Sequence, residues 1–258
     1  MANTVYPNKV LEAKATDLLA TALNVRNYMT IDNSLTAAAG MTKTINTYTY
    51  SGEAEELGVG EGNTQRGSIT YVGNDYVVKV VQQAFDYYDE DAMKDPGIVD
   101  AMMRGATQVM ANKMTADFLA EIAKTSTAAT FSGTYGYEAV VDGISALNIE
   151  DESGVFDLIP NAWKAQLRKD EDYKSARMGE VVYSGQVGTV AGIPVIPSKA
   201  LSDASYVATK EAVKLFMKKD VEVEQQRDPN TRKNSVYLRT VYICALVDAT
   251  KACKVSKA

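Results

Sequence analysis

The sequence predicts an α+β protein, and three observations support that prediction. Apolar residues recur at helical spacing over residues 95–124, which indicates one long helix. Stretches rich in Thr, Tyr and Val precede and follow this helix and predict long β-strands. Between residues 137 and 209, short helix-like and strand-like patterns alternate, which is typical of a small α/β unit inserted after the helix.

The composition narrows the class of protein. The chain has 258 residues, 46% of them hydrophobic and 23% charged, which is typical of a globular protein with one or two domains and a sizeable core. Neither a long uninterrupted apolar run nor a basic-then-apolar start is present, so the sequence indicates neither membrane insertion nor secretion. Cys244 and Cys253 have no metal-binding spacing and are expected as reduced thiols.

The absence of histidine bears directly on function. The chain contains no histidine, which excludes Ser-His-Asp triads, Cys-His pairs and His-ligated zinc. Carboxylates and lysines remain as catalytic groups, but we expect no enzyme and no cofactor. The sequence therefore favours a binding or structural role.

The charge is unevenly distributed. The net charge is −6, but residues 210–258 hold 11 basic and 6 acidic residues, so this part carries +5 and the remainder −11. An acidic bulk argues against wrapping of nucleic acid. The basic C-terminal part either forms a solvated face or meets an acidic neighbour.

The N-terminal part of the chain has the pattern of an arm. Residues 8–28 carry a narrow apolar stripe of helical period, and the small residues at 36–40 end the segment. Such a helix needs a surface, either that of its own chain or that of a neighbour. The members of the stripe are Val10, Leu11, Leu18, Leu19, Ala22 and Val25.

A β-ribbon follows the arm. Thr42–Tyr50 and Ser68–Ala84 are predicted strands, and the segment between them holds five glycines and four glutamates. We therefore expect a ribbon with an acidic, glycine-rich tip and little apolar surface of its own. It either packs on its own sheet or reaches another subunit. GVGEG at 58–62 lacks the spacing of a phosphate loop.

A carboxylate cluster, FDYYDED at 85–91, precedes the long helix. Paired carboxylates can bind a divalent metal or transfer protons. They also favour helix N-termini, where the helix dipole stabilises negative charge, and this second interpretation is preferred. The carboxylates are Asp86, Asp89, Glu90 and Asp91.

The long helix is predicted from Asp95 to Lys124. Asp95 is expected as the N-cap and Pro96 as the first helical residue. The apolar stripe comprises Val99, Met103, Ala106, Met110, Met114, Phe118 and Ile122. The residues expected on other faces are Arg104, Gly105, Thr107, Asn112, Lys113, Asp117 and Glu121.

Short elements and a hairpin complete the chain. The inserted unit is predicted to contain helices at Tyr137–Leu147 and Pro160–Asp170 and strands at Val155–Ile159, Val181–Tyr183, Val190–Ile196 and Ser205–Thr209. Ala212–Gln226 and Val236–Val247 are predicted to form a long hairpin around the turn at Asp228.

The order of these elements and four sequence stretches resemble the major capsid proteins of tailed bacteriophages with the Hong Kong 97-type fold. TYTYSGEAEELGVGEGNT resembles the extended loop of that family, and PGIVDAMMRGATQVMANKMTADFLAEI resembles its spine helix. GQVGTVAGIPVIPSKAL resembles a stretch of the axial domain, and KDVEVEQQRDPNTRKNSVYLRTVYICALVD resembles the return strands. The resemblance covers nearly the whole chain.

The resemblance implies a domain plan and a function. The segments would be an N-terminal arm (1–41), an extended β-ribbon loop (42–84), a peripheral domain with the spine helix (85–127), an axial domain (128–208) and the peripheral return strands (209–258). The chain would assemble into pentamers and hexamers of an icosahedral phage head, and it would be a virion component made in the bacterial cytoplasm. The expected partners are other copies, scaffolding, portal and decoration proteins, and packaged double-stranded DNA bound without sequence specificity; no membrane is expected.

Two details and two alternatives complete these expectations. No long coiled-coil extension is visible, so we expect the scaffold to be separate or already removed. The acidic ribbon tip of one subunit is expected to meet the basic hairpin turn of another. The residues concerned are Glu53, Glu55, Glu56, Glu61 and Arg66 in the tip and Arg227, Arg232 and Lys233 in the turn. The alternatives are an encapsulin-like nanocompartment shell of the same fold, and a metal-assisted hydrolase using the carboxylates at 86–91.

Overall fold

A computed structural model describes residues 8–22, 26–36, 40–171 and 188–258, and these form an α+β protein as predicted. The helices are α1 (Asn8–Ala22), α2 (Asp89–Lys94), α3 (Ile98–Ile122), α4 (Tyr137–Leu147) and α5 (Trp163–Lys169), with short 3₁₀ turns at Arg26–Tyr28 and Ala249–Lys251. The strands are β1 (Thr30–Asp32), β2 (Thr42–Ser51), β3 (Ser68–Val77), β4 (Lys79–Tyr88), β5 (Thr127–Phe131), β6 (Val155–Pro160), β7 (Thr189–Val190), β8 (Ile193–Ser198), β9 (Ala204–Thr209), β10 (Val213–Asp228), β11 (Lys233–Leu246) and β12 (Ala252–Lys257).

The strands described form three sheets. One has four strands in the order β1-β10-β11-β4, and a second has six in the order β5-β12-β9-β6-β8-β7. The third is the two-stranded ribbon β2-β3. One hydrophobic cluster lies between α1, α3 and the four-stranded sheet and continues onto one face of the six-stranded sheet; a second lies between the other face of that sheet and α4 and α5.

The long helix α3 is confirmed, with a later start than predicted. All seven residues of the predicted stripe are buried. The helix begins at Ile98 rather than near Asp95, although the Asp95 carboxylate still accepts a hydrogen bond from the Gly97 amide at 2.8 Å. Three of the polar residues expected on other faces of the helix, Thr107, Asp117 and Glu121, are also buried.

The arm helix α1 lies on its own chain. Leu11, Ala15 and Leu19 are buried in the same cluster as the α3 stripe, and Lys14 Nζ lies 2.5 Å from Asp100 Oδ1. Val10 was expected in the apolar stripe, but 54% of it is exposed. Val25 and most of 36–40 lie outside the described residues.

The predicted strand at 68–84 is two strands. It divides at Val78, which is buried and whose amide donates to the Met41 carbonyl at 2.8 Å. β3 belongs to the ribbon, whereas β4 pairs antiparallel with β11 and continues to Tyr88. The chain therefore passes from the ribbon into the four-stranded sheet.

The inserted unit matches its prediction closely. α4, β6 and β9 occur where expected, but α5 begins at Trp163 because Pro160 is the last residue of β6. The predicted strand at 190–196 is the hairpin β7–β8, turned by Ala191 and Gly192 with φ of 48° and 85°, as a two-residue type I′ turn requires. The predicted strand at 181–183 lies outside the described residues.

The closing hairpin is confirmed, and three strands, β1, β5 and β12, were not predicted. β10 and β11 pair antiparallel. Val221, Val223, Val236 and Leu238 are buried in the same cluster as α1 and α3, whereas Val241 and Ile243 are buried on the opposite face, against the ribbon base. β12 was not predicted and pairs with β5 and β9. The C-terminal residues therefore complete the six-stranded sheet of the inserted unit, while the proposed segment boundaries stay a prediction.

Candidate functional site: the ribbon and the hairpin turn

The base of the ribbon is anchored on its own subunit. Ile45 and Val78 are buried in a small cluster with Phe216, Val241 and other residues of the outer face of the four-stranded sheet. The Tyr76 hydroxyl donates to the Leu246 carbonyl at 3.2 Å. Only this base is covered, because residues 68–75 of β3 are all exposed.

Beyond its base, the ribbon exposes an apolar face that we call the tyrosine face: Tyr48, Tyr50, Ile69 and Tyr71. Tyr48 pairs with Tyr71 and Tyr50 with Ile69, so all four side chains lie on one face of the pleat. Ile45 differs in parity from Tyr48 and Tyr50, so the tyrosine face lies opposite the face that is anchored at the base.

The exposure of the tyrosine face corrects an expectation. These four side chains are 65–68% exposed, and the Tyr48 and Tyr71 rings lie 6.4 Å apart. The ribbon therefore carries a considerable apolar surface, contrary to the expectation that it had little. The sequence signal was present in the alternation of TYTYS and SITYV, but the tyrosines were interpreted only as strand formers.

Hydrogen bonds within the acidic tip order part of it. The Glu55 carboxylate accepts hydrogen bonds from the Thr64 amide at 2.7 Å and the Thr64 hydroxyl at 2.9 Å. These hydrogen bonds lower the pKa of Glu55. Glu61 accepts from the Gly58 amide at 3.0 Å. Glu53, Glu56 and Arg66 are exposed.

The basic turn is paired within its own chain. Arg227 Nη2 lies 2.8 Å from Asp89 Oδ2, and Arg232 Nε lies 2.6 Å from Glu90 Oε1. Lys233 Nζ lies 2.7 Å from Asp86 Oδ2.

These contacts fix the ionisation and position of the carboxylates. The hydrogen bonds from Lys233 and Ser235 lower the pKa of Asp86, and Asp86 in turn raises the pKa of Lys233. Asn234 Nδ2 also donates to Asp89 Oδ1 at 2.7 Å. The turn and the start of α2 thus form one ion-pair cluster.

The carboxylate cluster at 86–91 is therefore part of the fold. Asp89, Glu90 and Asp91 occupy the first turn of α2, as the helix-dipole interpretation predicted, although for a short helix rather than the long one. Asp86 lies on β4, which pairs with β11 and so brings it beside the turn. Among the described residues, no group of three or more His, Cys, Asp or Glu side chains is placed to hold a metal ion.

Both halves of this cluster are visible in the sequence, but their contact with each other is not. The carboxylates were assigned to a helix start and the cations to a neighbouring subunit. The pairing of β4 with β11 joins them, and the complementary charges of FDYYDED and RDPNTRK were the available signal. Within the part of the chain described, no ion pair joins the tip carboxylates to the turn.

A second buried polar group was missed. Asp117 of α3 accepts hydrogen bonds from Lys79 and Lys113, both at 3.1 Å, and from the Tyr242 hydroxyl at 2.8 Å. Burial raises the pKa of Asp117, but these hydrogen bonds outweigh burial and leave it below the ordinary value. The carboxylate thus links α3 to β4 and β11.

These features define a class of protein before any comparison is made. A well-packed body carries a projecting ribbon with an exposed apolar face, and the charged clusters described are used in internal ion pairs. No helix among the described residues is long and apolar enough to span a membrane. An exposed apolar face of this kind is typical of a surface that contacts another protein.

Comparison with known proteins identifies the family. A family model described as phage capsid protein matches residues 73–255, and the chain belongs to this family. The major capsid protein of Staphylococcus phage phiMR11 is 24% identical to the chain over 265 residues, covering 99% of the chain and 94% of that protein.

Solved structures show the same fold. The capsid structure of the cyanophage P-SCSP1u matches with a TM-score of 0.67 and 15% identity, covering 90% of this chain and 86% of that one. A virus-like particle from Pyrococcus furiosus matches with a TM-score of 0.67 and 9% identity, covering 98% and 100%. The fold expected from the resemblance is thus confirmed at the level of its overall class.

Proposed function

We propose that this chain is the major capsid protein of a tailed phage, the structural subunit that assembles into an icosahedral head around the DNA genome. The observation that carries this proposal is the family match over residues 73–255. The phage relative of similar length and the exposed tyrosine face support it. In this proposal the protein acts by repeated burial of surface between identical subunits and catalyses no reaction.

The ribbon is proposed as the main inter-subunit contact. An isolated two-stranded ribbon is marginally stable in water, and here only the base is covered by its own chain. Burying one large apolar side chain stabilises a contact by about 1.5–3 kcal/mol. Four such side chains on one face would supply most of the contact energy if a neighbouring subunit covers them.

The charged tip and turn are proposed as a weaker, orienting contact. Arg227, Arg232 and Lys233 retain 41%, 64% and 36% side-chain exposure, so each can approach a second carboxylate on a neighbouring tip. Their own carboxylates already offset their charge, and exposed pairs are screened by water and salt. This contact would therefore set register and orientation more than affinity.

The other roles follow from the domain plan. α3 would be the spine of a peripheral domain formed by 85–127 and 209–258, and residues 128–208 would form the axial domain at the centre of pentamers and hexamers. The proposed partners are scaffolding, portal and decoration proteins and the enclosed DNA. The virion would be the final location, after synthesis in the host cytoplasm.

An encapsulin-like shell of the same fold is the nearest alternative, and a virus-like particle from Pyrococcus furiosus also shares the fold. The match to a phage capsid family favours the phage head. The hydrolase alternative loses support because three of its four carboxylates pair with Arg227, Arg232 and Lys233.

Electron microscopy of the purified recombinant protein tests shell formation directly. Closed shells, alone or with a co-expressed scaffold, are expected, and soluble monomers at all concentrations in both cases would contradict the proposal. Hydrogen exchange then tests the ribbon. Amides at 46–75 should be poorly protected in isolated subunits and protected in shells, because only the base is covered by its own chain.

A further inference from the structure

A carboxylate lies in the hydrophobic interior of the six-stranded sheet and has no role in the contacts described above. Asp157 on β6 is 0% exposed. Its neighbours Phe156 and Leu158 face one hydrophobic cluster, whereas Val155 and Ile159 face the other. Alternation along the strand therefore places Asp157 on the face covered by α4 and α5.

Two buried hydroxyl groups extend from this carboxylate. The Tyr135 hydroxyl lies 2.6 Å from Asp157 Oδ2, and Ser205 Oγ lies 3.2 Å from the Tyr135 hydroxyl. Tyr135 and Ser205 are also 0% exposed. Asp157 Oδ1 has no hydrogen-bond partner among the residues described.

Among the residues described, no cation is paired with Asp157. The pKa of Asp157 is raised by burial, which the hydrogen bond from Tyr135 only partly offsets, to about 7. Besides Tyr135, the titratable residues described in the same hydrophobic cluster are the partly buried Tyr137 and Cys253 of β12. Burial raises the pKa of the Cys253 thiol.

The charged residues of the covering helices do not alter this picture. Their influence is absent from the causes that set the pKa of Asp157, which are burial and the hydrogen bond from Tyr135. These residues are Glu138 and Asp142 on α4, both exposed, and Lys164, Arg168 and Lys169 on α5. An ionised Asp157 would therefore be a buried anion held by one hydroxyl, with one oxygen unpaired.

We propose that the folded subunit carries Asp157 as a neutral carboxylic acid, and that the Asp157–Tyr135–Ser205 cluster makes the six-stranded sheet sensitive to pH, so that a rise in pH from acidic to neutral values loosens it. In the neutral state Asp157 Oδ2–H donates to the Tyr135 hydroxyl oxygen, and the Tyr135 O–H donates to Ser205 Oγ. On ionisation the Asp157 proton leaves to solvent, and both hydrogen bonds of the cluster reverse direction without movement of the heavier atoms. The Tyr135 hydroxyl then donates to Asp157 Oδ2, and the Ser205 hydroxyl donates to the Tyr135 oxygen.

The direction of the effect follows from proton linkage. Unfolded Asp has a pKa of about 3.9, so between about pH 4 and pH 7 the folded chain holds a proton that the unfolded chain has lost. Stability should fall as the pH rises through this window and remain low above it. The difference of about three pKa units corresponds to up to about a thousandfold in the unfolding equilibrium.

Infrared titration of the wild-type subunit is the primary test. A carbonyl stretch of a protonated carboxylic acid should persist well above the pH at which ordinary Asp ionises and should disappear near pH 7. Asp157→Asn should remove this band, whereas Asp142→Asn, at an exposed position on α4, should keep it. A wild-type spectrum without such a band at about pH 6 would overturn the proposal.

Two further variants separate a titrating group from a purely structural one. Asp157→Asn resembles the neutral acid, so it should unfold at a higher temperature than wild type at about pH 8 and show a flatter pH profile. Tyr135→Phe should move the infrared midpoint to higher pH, because the Tyr135 hydrogen bond lowers the pKa of Asp157. An unchanged midpoint, or parallel pH profiles for Asp157→Asn and wild type, would contradict the proposal. The test uses single folded subunits and does not depend on shell assembly.

Discussion

The ribbon β2–β3 and the hairpin β10–β11 are both long antiparallel strand pairs, yet they occupy opposite environments. The hairpin has α1 and α3 on one side and the ribbon base on the other, and Leu238 is 0% exposed. The ribbon is covered only at its base, and Tyr71 is 68% exposed. Strand length and alternation are thus shared, and the difference lies in what the rest of the chain places against each pair.

The polar groups differ in the same way. The hairpin turn is paired with Asp86 on β4 and with Asp89 and Glu90 at the start of α2, whereas the ribbon tip is held mainly by its own Glu55 and Thr64. A strand pair with internal partners stabilises the subunit. A strand pair without them remains available to stabilise an assembly.

The largest loss of stability should come from a substitution in the core between α3 and the hairpin. Met110→Asp places an unpaired carboxylate at a position 1% exposed on α3, which should cost several kcal/mol and unfold the subunit. Val109→Asp is the matched control, because Val109 is 51% exposed and its change should cost less than about 0.5 kcal/mol. Urea unfolding followed by Trp163 fluorescence measures both. A soluble, assembly-competent Met110→Asp protein would mean that α3 does not form the core.

A substitution on the tyrosine face of the ribbon should instead weaken assembly and leave the stability of the subunit unchanged. Tyr71→Asp should leave the isolated subunit as stable as wild type but weaken association by about ten- to hundredfold, since one contact of about 1.5–3 kcal/mol is lost. Thr70→Asp is the control, as it is exposed on the other face of the same strand. Light scattering against subunit concentration measures assembly. Equal effects of the two variants would exclude the tyrosine face as the contact.

Asp117 tests whether the hairpin depends on its buried polar link. Asp117→Asn weakens the hydrogen bonds from Lys79 and Lys113 and should cost about 1.5 kcal/mol at neutral pH. Because the folded pKa of Asp117 is below its unfolded value, the wild-type advantage should be present above about pH 4 and lost as the pH falls through the folded pKa. Chemical unfolding of both proteins over an acidic pH series checks this, and a constant difference would contradict it.

The smallest effect should come from the charges of the tip. Glu53→Gln with Glu56→Gln should reduce the salt dependence of assembly, because these exposed carboxylates would approach the basic turn of a neighbour. Glu55→Gln is the comparison, since it weakens the hydrogen bonds to Thr64 within the tip.

Charge-reversal variants distinguish the proposed partners of the turn cations on a neighbouring tip from their carboxylate partners in the same chain. Glu55→Lys with Glu56→Lys should assemble poorly, and Arg232→Glu with Lys233→Glu should partly restore assembly. The second pair also places like charges beside Glu90 and Asp86, so rescue should be incomplete and accompanied by a less stable subunit. Light scattering over a salt series checks both. Assembly that is indifferent to salt would leave the tyrosine face as the sole proposed contact.

Local pattern determined most of the secondary structure of this chain. The period of the apolar residues predicted α3, α4 and the hairpin, because a helix or strand with one buried face repeats its apolar residues at the period of its geometry. Motif order further indicated the capsid family. Two predicted boundaries were wrong. α5 starts later than predicted because Pro160 is the last residue of β6. The strand predicted at 68–84 divides at Val78, whose amide donates to the Met41 carbonyl.

Only the tertiary structure decided which polar groups meet and which apolar faces stay open. Asp86, Asp89 and Glu90 reach the turn cations across more than a hundred residues because β4 pairs with β11. Asp117 reaches Tyr242 because α3 packs against β11. The burial of Asp157 and the exposure of Tyr71 likewise contradict their residue types. Burial depends on what packs against a strand from elsewhere in the chain, and strand alternation carries no information about that partner.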